Sequence, residues 1–246
     1  MKCILLCAGY ATRLFPLTEN FPKALLEIGE GKPLLDYILD EVNTINEIDE
    51  IIVITNNRYT PHFQKWASTK NNIKPIKVLN DNTNSNTDRL GAIGDMQYTI
   101  KNCNIEDDII VIAGDNLFDY KLQGVIDYYN KVKSPVAVTK EINDINMLRS
   151  FAVAKCNNED RILELVEKPA NPESNIGVYA TYVYPKYILK TIDEYLEASN
   201  NPDAPGYLLE YVVRHYPTYA YKFKGNCYDV GTHESLEKVR NLYRNK

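Results

Sequence analysis

Two cationic side chains near the start of the sequence could bind an anion together. Arg13 and Lys23 lie in a loop after the apolar run Cys3 to Cys7, which is short and apolar enough to be a strand buried on both faces. The run ends at Ala8 and Gly9, where the chain enters the loop. Backbone N–H groups and cations that converge after a buried first strand are typical of a phosphate-binding turn.

The glycine spacing of this loop argues against a dinucleotide-binding turn. Such a turn has the pattern G-x-G-x-x-G, whereas this sequence has Gly9-Tyr10-Ala11-Thr12-Arg13-Leu14. A helix cannot follow at once, because Pro16 and Pro22 interrupt the chain. The loop is long enough to wrap a ligand, and binding of NAD is not predicted.

A carboxylate that could grip a divalent cation follows a second buried run. Asp115 comes after the β-branched stretch Ile109 to Ala113 and is preceded by Gly114. Mg²⁺ prefers one or two protein carboxylates together with substrate oxygens, and the carboxyl end of a buried strand suits that role. The residues alone explain Asp115 equally well as a turn former or a helix cap.

Alternating strands and helices are predicted to position these residues. Strands are expected at Cys3–Cys7, Ile51–Thr55 and Ile76–Leu79, with a helix between each pair. This order implies parallel pairing through right-handed crossovers, so we expect an α/β fold with a doubly wound, mostly parallel central sheet. Ligands of such sheets bind at the carboxyl ends of the strands, where the loop with Arg13 and Lys23 leaves the first strand.

The pattern changes in the second half of the sequence. Strand-like stretches at Ser150–Ala154, Ile162–Val166 and Val178–Val183 are separated by short turns. They predict a small antiparallel excursion that covers one side of the cleft.

Composition excludes several classes of function. The 246 residues, 44% of them hydrophobic, are enough for one large α/β domain. A net charge of −5 argues against nucleic-acid binding, which needs a basic surface. The sequence shows no signal-peptide pattern and no membrane-spanning apolar run, so we expect a cytoplasmic protein without membrane contact. Five scattered cysteines without a C-x-x-C pair are typical of buried hydrophobes in a reducing compartment.

Four ordered motifs relate the sequence to a known enzyme family. They are Gly9-x-Ala11-Thr12-Arg13-Leu14-x-Pro16-Leu17-Thr18 followed by Pro22-Lys23, then Gly114-Asp115-Asn116, Glu167-Lys168-Pro169 and Tyr228-Asp229-Val230-Gly231-Thr232. With these motifs the sequence resembles the sugar-phosphate nucleotidyltransferases, also called nucleoside-diphosphate-sugar pyrophosphorylases, of which the glucose-1-phosphate thymidylyltransferases are the type case. The resemblance implies a Rossmann-like nucleotidyltransferase fold with the antiparallel excursion over the acceptor site.

The resemblance also implies a single nucleotidyltransferase domain, residues 1–246, in which different parts of the chain bind the nucleotide and the acceptor. The nucleotide-binding part would cover about 1–140 and the acceptor-binding part about 141–230, followed by a C-terminal helix at 232–246. The implied reaction is Mg²⁺-dependent: an NTP and a sugar 1-phosphate give an NDP-sugar and pyrophosphate. UTP, dTTP and CTP all stay open, because the amide-rich segment from Asn80 to Arg89 has no position-by-position match to the base-reading region. A homo-oligomer is compatible with the sequence.

Residues that match the family's motifs receive roles from the resemblance. Asp115 and Asp229 are the expected metal ligands. The expected catalytic residues are Arg13, Lys23 and Lys168, and the expected acceptor-binding residues are Glu167, Lys168 and Tyr179. The expected nucleotide-binding residues are Leu6, Ala8, Gly9, Tyr10, Ala11, Thr12, Asn82, Gly91 and Gly114.

Three alanines stand where the family has or often has glycine, and they define the alternatives. Ala11 suits the loop if its φ is negative or the strain is small. Ala152 and Ala180 would reshape the acceptor pocket. The main alternative is therefore a CTP-dependent cytidylyltransferase acting on a non-sugar acceptor, phosphocholine-like or another small phosphate.

Two more distant alternatives are weaker. A nucleotide-sugar-dependent glycosyltransferase would need an Asp-x-Asp metal motif, and Gly114-Asp115-Asn116 is not one. A catalytically silent regulatory homologue would have lost Arg13, Lys23 or an aspartate, and all of these are present.

Overall fold

A computed structural model describes residues 1–71 and 73–244, which form two compact units. Unit 1 consists of Met1–Leu90, Ile112–Tyr120 and the chain from Gly225 onward, and unit 2 of Gly91–Val111 and Lys121–Lys224. No helix within the described ranges is both long and apolar enough to span a membrane. The division of the chain near residue 140 into nucleotide-binding and acceptor-binding parts stays a prediction.

The strands are β1 (Lys2–Leu6), β2 (Glu27–Gly29), β3 (Lys32–Pro33), β4 (Glu50–Thr55), β5 (Ile76–Asn80), β6 (Ile109–Ala113), β7 (Asn116–Phe118), β8 (Val136–Glu141), β9 (Ala152–Cys156), β10 (Arg161–Glu167), β11 (Ile176–Tyr184), β12 (Thr218–Lys222) and β13 (Cys227–Asp229). The α-helices are α1 (Leu34–Asn43), α2 (Thr60–Ser68), α3 (Gly91–Asn102), α4 (Leu122–Val132), α5 (Ile145–Leu148), α6 (Leu189–Glu197), α7 (Pro205–His215) and α8 (His233–Tyr243).

Unit 1 contains the parallel sheet that the first third of the sequence predicts. Its strands run in the order β5-β4-β1, and both pairs are parallel. The central residues of β1 and β4 are completely buried, because apolar side chains occupy both faces of each strand. The helices α1 and α2 lie between these strands in sequence, as the apolar periodicity predicts.

Two three-residue strands in unit 1 bring distant parts of the chain together. β7 and β13 form an antiparallel ladder in which Asn116 is opposite Asp229. Helix α8 follows directly and begins at a capping box, in which the Thr232 side chain accepts from the Ser235 N–H and the Ser235 hydroxyl accepts from the Thr232 N–H. The ladder and the capped helix therefore fix the backbone on either side of Gly231.

Unit 2 is largely antiparallel. Its strands run in the order β11-β8-β12-β10-β9, with β9 also paired to β11, and only the β8–β12 pair of these is parallel. The antiparallel part is thus larger than the small excursion expected from the sequence. Helix α7 begins with Pro205 at its first position and buries Leu208, Leu209 and Val212.

A pair of buried tyrosines in unit 2 gives a test of this core. The Tyr184 hydroxyl is buried and has no hydrogen-bond partner among the described residues, whereas the Tyr129 hydroxyl donates to Asp108 Oδ2 at 2.5 Å. A buried polar group without a partner costs about 1–3 kcal/mol, so Tyr184→Phe should raise the free energy of unfolding by about 1 kcal/mol or more. Tyr129→Phe is the matched control and should lower it by about 1.5–3 kcal/mol, since it loses a bond to a carboxylate.

Chemical denaturation of the wild type and the two variants tests the predicted increase in unfolding free energy for Tyr184→Phe and the predicted decrease for Tyr129→Phe. A lower denaturation midpoint for Tyr184→Phe than for the wild type would contradict the interpretation of that hydroxyl.

Candidate active site

The loop between Ala8 and Lys23 is structured in unit 1. Residues Thr12–Leu14 form a 3-10 turn that begins after Ala11. Ala11 has φ 46° and ψ 43°, the left-handed conformation, so of the two conditions under which alanine suits the loop, a negative φ is not met. The left-handed conformation is about 1 kcal/mol less favourable for alanine than the right-handed one. The Thr18 hydroxyl donates to the Ala11 carbonyl oxygen at 2.8 Å and holds the turn in place.

Side chains outside the loop bond to carbonyl oxygens at its start and in its middle. The buried Asn56 side chain donates to the carbonyl oxygen of Ala8 at 2.8 Å, and the buried Tyr59 hydroxyl donates to that of Thr18 at 2.5 Å. At the N-terminus of α8, His233 Nε2 lies 2.9 Å from the Phe15 carbonyl oxygen, which accepts the bond. The loop is therefore held in a defined shape around Arg13 and Lys23.

Lys23 and Asp115 form an ion pair at the carboxyl end of the sheet. Lys23 Nζ lies 2.5 Å from Asp115 Oδ2, and their side chains are 16% and 30% exposed. Asp115 is positioned by Gly114, whose N–H donates to the Leu6 carbonyl oxygen at 3.0 Å. A Cβ at Gly114 would overlap Cys7 Sγ, so only glycine allows this close approach to the end of β1.

Asp229 and Arg13 lie together beside Gly231. A Cβ built on Gly231 would be 3.1 Å from Arg13 Nη2 and 3.4 and 3.5 Å from the two carboxylate oxygens of Asp229. The Val230 N–H donates to the Asp115 carbonyl oxygen at 3.0 Å, which joins the backbones next to the two aspartates. Unit 1 therefore collects two cations and two carboxylates that are up to 216 positions apart, from Arg13 to Asp229.

The donor chemistry of this cluster fits a hard divalent cation. Asp115 and Asp229 supply carboxylate oxygens, the ligand type that Mg²⁺ prefers, and they stand on adjoining backbone segments. Within residues 1–71 and 73–244, no three His, Cys, Asp or Glu side chains group closely enough to hold a metal ion. Two carboxylates with substrate oxygens are a common arrangement for magnesium at phosphate sites.

Most of the other expected nucleotide-binding residues of unit 1 belong to the same loop or to the end of β1. Tyr10 is buried, and its hydroxyl lies 3.4 Å from Thr83 Oγ1. Asn82 is exposed, has φ 65° and donates its N–H to Asn80 Oδ1 at 2.9 Å. Leu6, Ala8, Gly9 and Thr12 belong to the end of β1 and the loop itself.

Hydrogen bonds within the segment order the polar residues from Asn80 to Arg89. The Asp88 carboxylate accepts from the backbone N–H groups of Asn84 and Ser85, and these bonds lower the pKa of Asp88. Amide side chains also bond to one another, Asn80 to Asn57 at 3.0 Å and Asn57 to Asn84 at 2.8 Å. The segment can thus offer fixed amide groups to the edge of a base.

The expected acceptor-binding residues lie in unit 2. The Glu167 side chain is 6% exposed, Lys168 is 50% exposed, and their charged atoms are 3.7 Å apart. Burial raises the pKa of Glu167, and the neighbouring Lys168 ammonium opposes that shift. Tyr179 is buried between the rings of Phe151 and Phe223, with centroids 4.9 and 5.3 Å away. Gly91 begins α3 with φ 77°, and its role in binding nucleotide stays a prediction.

Sequence reasoning missed Asn56, Thr18 and His233 as residues that hold the loop. Asn56 directly follows β4, at the same edge of the sheet as the loop, and this position could have indicated that its side chain contacts the loop. The His233 contact spans 218 positions and had no local signal.

The sheet of unit 1 has a cationic loop after β1 and two carboxylates near it, an arrangement typical of α/β proteins that bind phosphate groups. A family pattern described as nucleotidyl transferase matches residues 2–246, so the chain belongs to the nucleotidyl transferase family. The resemblance expected from the sequence is thereby confirmed.

Individual relatives agree with this assignment. The bifunctional protein GlmU of Methanocaldococcus jannaschii is 30% identical over 231 residues, covering 94% of this chain and 51% of that protein. A glucose-1-phosphate adenylyltransferase of Clostridium novyi is 27% identical over 251 residues, covering 96% of this chain and 65% of that protein. The chain thus spans about half to two thirds of the length of these relatives.

A solved structure confirms the fold class. A UDP-glucose pyrophosphorylase complexed with UDP-glucose has a TM-score of 0.84 to this chain at 22% sequence identity. The match covers 98% of this chain and 97% of the other. The α/β nucleotidyltransferase fold with a mixed sheet therefore extends over the chain.

Proposed function

We propose that this protein is a Mg²⁺-dependent nucleotidyltransferase that joins an NTP to a sugar 1-phosphate. The products are an NDP-sugar and pyrophosphate. The observation that carries the proposal is the Lys23–Asp115 ion pair, with Arg13 and Asp229 gathered beside Gly231 in the same unit. Family membership supports the reaction type.

The chemistry needs charge neutralisation more than proton transfer. A phosphate oxygen of the acceptor attacks the α-phosphorus of the NTP, the bond from that phosphorus to the bridging oxygen breaks, and pyrophosphate leaves in line. Phosphate is already an adequate nucleophile, so catalysis consists of positioning the two anions and stabilising the charge that develops. Arg13 would stabilise the departing pyrophosphate, and Lys23 and Lys168 would hold the phosphates.

Asp115 and Asp229 would hold magnesium, which when bound supplies positive charge that screens the repulsion between the two phosphate groups. Lys23 has a second function in this scheme, because it lies 2.5 Å from Asp115 Oδ2. In this proposal, Lys23 neutralises the Asp115 carboxylate before substrate binds and contacts a phosphate group of the substrate afterwards.

Glu167, Lys168 and Tyr179 of unit 2 would bind the acceptor. Lys168 is half exposed and carries the positive charge a phosphate requires, whereas Glu167 is buried and suits hydroxyl groups that donate to it. The ring of Tyr179 is buried, so its contribution would be to shape the pocket through Phe151.

A substrate panel tests the proposal and the choice of partners. The purified protein is incubated with each of UTP, dTTP, CTP, ATP and GTP in combination with hexose 1-phosphates and phosphocholine, and released pyrophosphate is measured. We expect release that requires both an NTP and a sugar 1-phosphate, and that disappears with EDTA and returns with Mg²⁺. If only the pair of CTP and phosphocholine released pyrophosphate, the acceptor would be a non-sugar phosphate, as the alternative function states. No release with any pair would refute the proposed function.

The cell location follows from these substrates. NTPs and phosphorylated sugars are held in the cytosol, so we propose a cytoplasmic enzyme, which subcellular fractionation would test. Size-exclusion chromatography would show whether the protein forms a homo-oligomer, with which the sequence is compatible.

A further inference from the structure

The turn at Glu167 and Lys168 has a conformation that local sequence does not favour. Lys168 has φ 47°, in the left-handed region that a lysine seldom adopts. Its N–H donates to the Phe151 carbonyl oxygen at 3.1 Å, which holds one side of the turn. Such a conformation persists only where surrounding structure holds it, so the other side of the turn needs supports as well.

Gly206, in the first turn of α7, provides the space that the Glu167 carboxylate fills. A Cβ at Gly206 would overlap Glu167 Oε2 and lie 3.1 Å from the Ala152 methyl group. The carboxylate thereby rests against the N-terminal turn of an 11-residue helix, whose N–H groups attract negative charge. Any larger residue at this position would displace the carboxylate.

Glu210, one turn further along α7, holds the backbone of the same turn. Its Oε2 accepts from the Glu167 N–H at 3.3 Å, and its Oε1 pairs with the Arg214 guanidinium. The Glu210 side chain is 21% exposed, so the bond is partly shielded from water. A hydrogen bond from a backbone N–H to a carboxylate is stronger than one to a neutral acceptor.

We propose that Gly206 and Glu210 are positioning residues that set where Glu167 and Lys168 present their charges to the acceptor. Gly206 leaves room for the carboxylate of Glu167, and Glu210 holds the backbone N–H of Glu167, the last residue of β10 before Lys168. The proposal rests on the proposed function, because it assigns Glu167 and Lys168 to the acceptor. It adds that α7 determines acceptor affinity without touching the acceptor.

Glu210 is tested with one disruptive and one conservative variant. Glu210→Ala removes the acceptor of the Glu167 N–H, whereas Glu210→Gln keeps a side-chain oxygen at the same reach. We expect Glu210→Ala to raise the KM for the acceptor about tenfold, the effect of one hydrogen bond, with the KM for NTP unchanged. Glu210→Gln should raise the acceptor KM only about threefold, because its neutral oxygen still accepts from the Glu167 N–H but more weakly than the carboxylate does. Glu197→Ala, an exposed glutamate of α6, is the control.

A readout independent of activity separates this proposal from the proposed function. Hydrogen exchange at the Glu167 amide should quicken about tenfold in Glu210→Ala and clearly less in Glu210→Gln, because the amide loses its acceptor only in the first. Unchanged exchange in Glu210→Ala overturns the positioning role whether or not the enzyme turns over. Altered exchange with an unchanged acceptor KM overturns it too, since the bond would then be merely structural.

Gly206 is tested by compensation. Gly206→Ala should shift the flexible end of Glu167 and raise the acceptor KM, and adding Glu167→Asp, one methylene shorter, should recover part of the loss. The coupling between the two substitutions is measured against each single variant. Strictly additive effects would overturn the role of Gly206, whereas a wild-type enzyme inactive with every substrate pair would refute the proposed function instead.

Discussion

Arg13→Ala is expected to lower kcat for pyrophosphate release by roughly 10²-fold or more, the loss that follows removal of one preorganised electrostatic donor. Arg13 lies in the 3-10 turn of the loop, and its Nη2 would be 3.1 Å from a Cβ at Gly231. The exposed guanidinium lies near Gly231, as the Asp229 carboxylate does, so in the proposed reaction it would be close to the charge that develops on pyrophosphate. The effect should fall on kcat more than on the KM for NTP, because charge grows on the leaving group in the transition state.

Arg13→Lys separates charge from geometry. Lysine keeps the positive charge but lacks the planar fork that can contact two phosphate oxygens, so an intermediate rate is expected. Arg244→Ala, at an exposed arginine after α8, is the matched control and should retain wild-type kinetics. Wild-type pyrophosphate release by Arg13→Ala would refute the assigned role.

The sequence predicts the main elements of the fold because their signals are local. Long apolar runs such as Ile51–Thr55 and Ile109–Ala113 become the buried strands β4 and β6, and the Thr232 cap begins α8 as its residue type predicts. The loop after β1 was located by its cations and prolines. These features depend on neighbours within a few positions, where pattern and propensity determine the outcome.

Features that depend on pairing over long distances could not be predicted in this way. The β7–β13 ladder consists of two three-residue strands more than 100 positions apart, and neither is long enough to show an alternating pattern. The antiparallel pairings of unit 2 were likewise underestimated, since periodicity identifies strands but not their partners. Ala11 has a positive φ that alanine disfavours, and the residues next to it give no sign of this conformation.

Within the candidate site, residue types were predictable and geometry was not. The residues alone left Asp115 open between a metal ligand and a turn or cap residue, and Asp229 became a candidate only through the resemblance. The structure adds the Lys23–Asp115 contact and the shared position of Arg13 and Asp229 beside Gly231. It also adds the supports of Glu167, since no local pattern relates Gly206 to a carboxylate 39 positions earlier.

Asp115→Asn and Asp229→Asn are each expected to lower kcat by roughly 10²–10³-fold, because each removes a negative ligand from the cation that neutralises the phosphates. The affinity for Mn²⁺, used as a paramagnetic substitute for Mg²⁺ and titrated with NTP present, should weaken in both variants. Asp49→Asn is the matched control: Asp49 is 57% exposed, pairs with Lys2, and should show neither effect.

The two variants should differ in their effect on Lys23. Asp115→Asn removes the charge that Lys23 contacts at 2.5 Å, so the lysine is released from its partner, whereas Asp229→Asn leaves that pair intact. The ion pair is partly exposed, so its loss should change the free energy of unfolding by about 1 kcal/mol or less. A large fall in activity without any change in Mn²⁺ affinity would show that the aspartates act through Lys23 and Arg13 instead. Retention of both activity and metal affinity in the two variants would contradict the metal site itself.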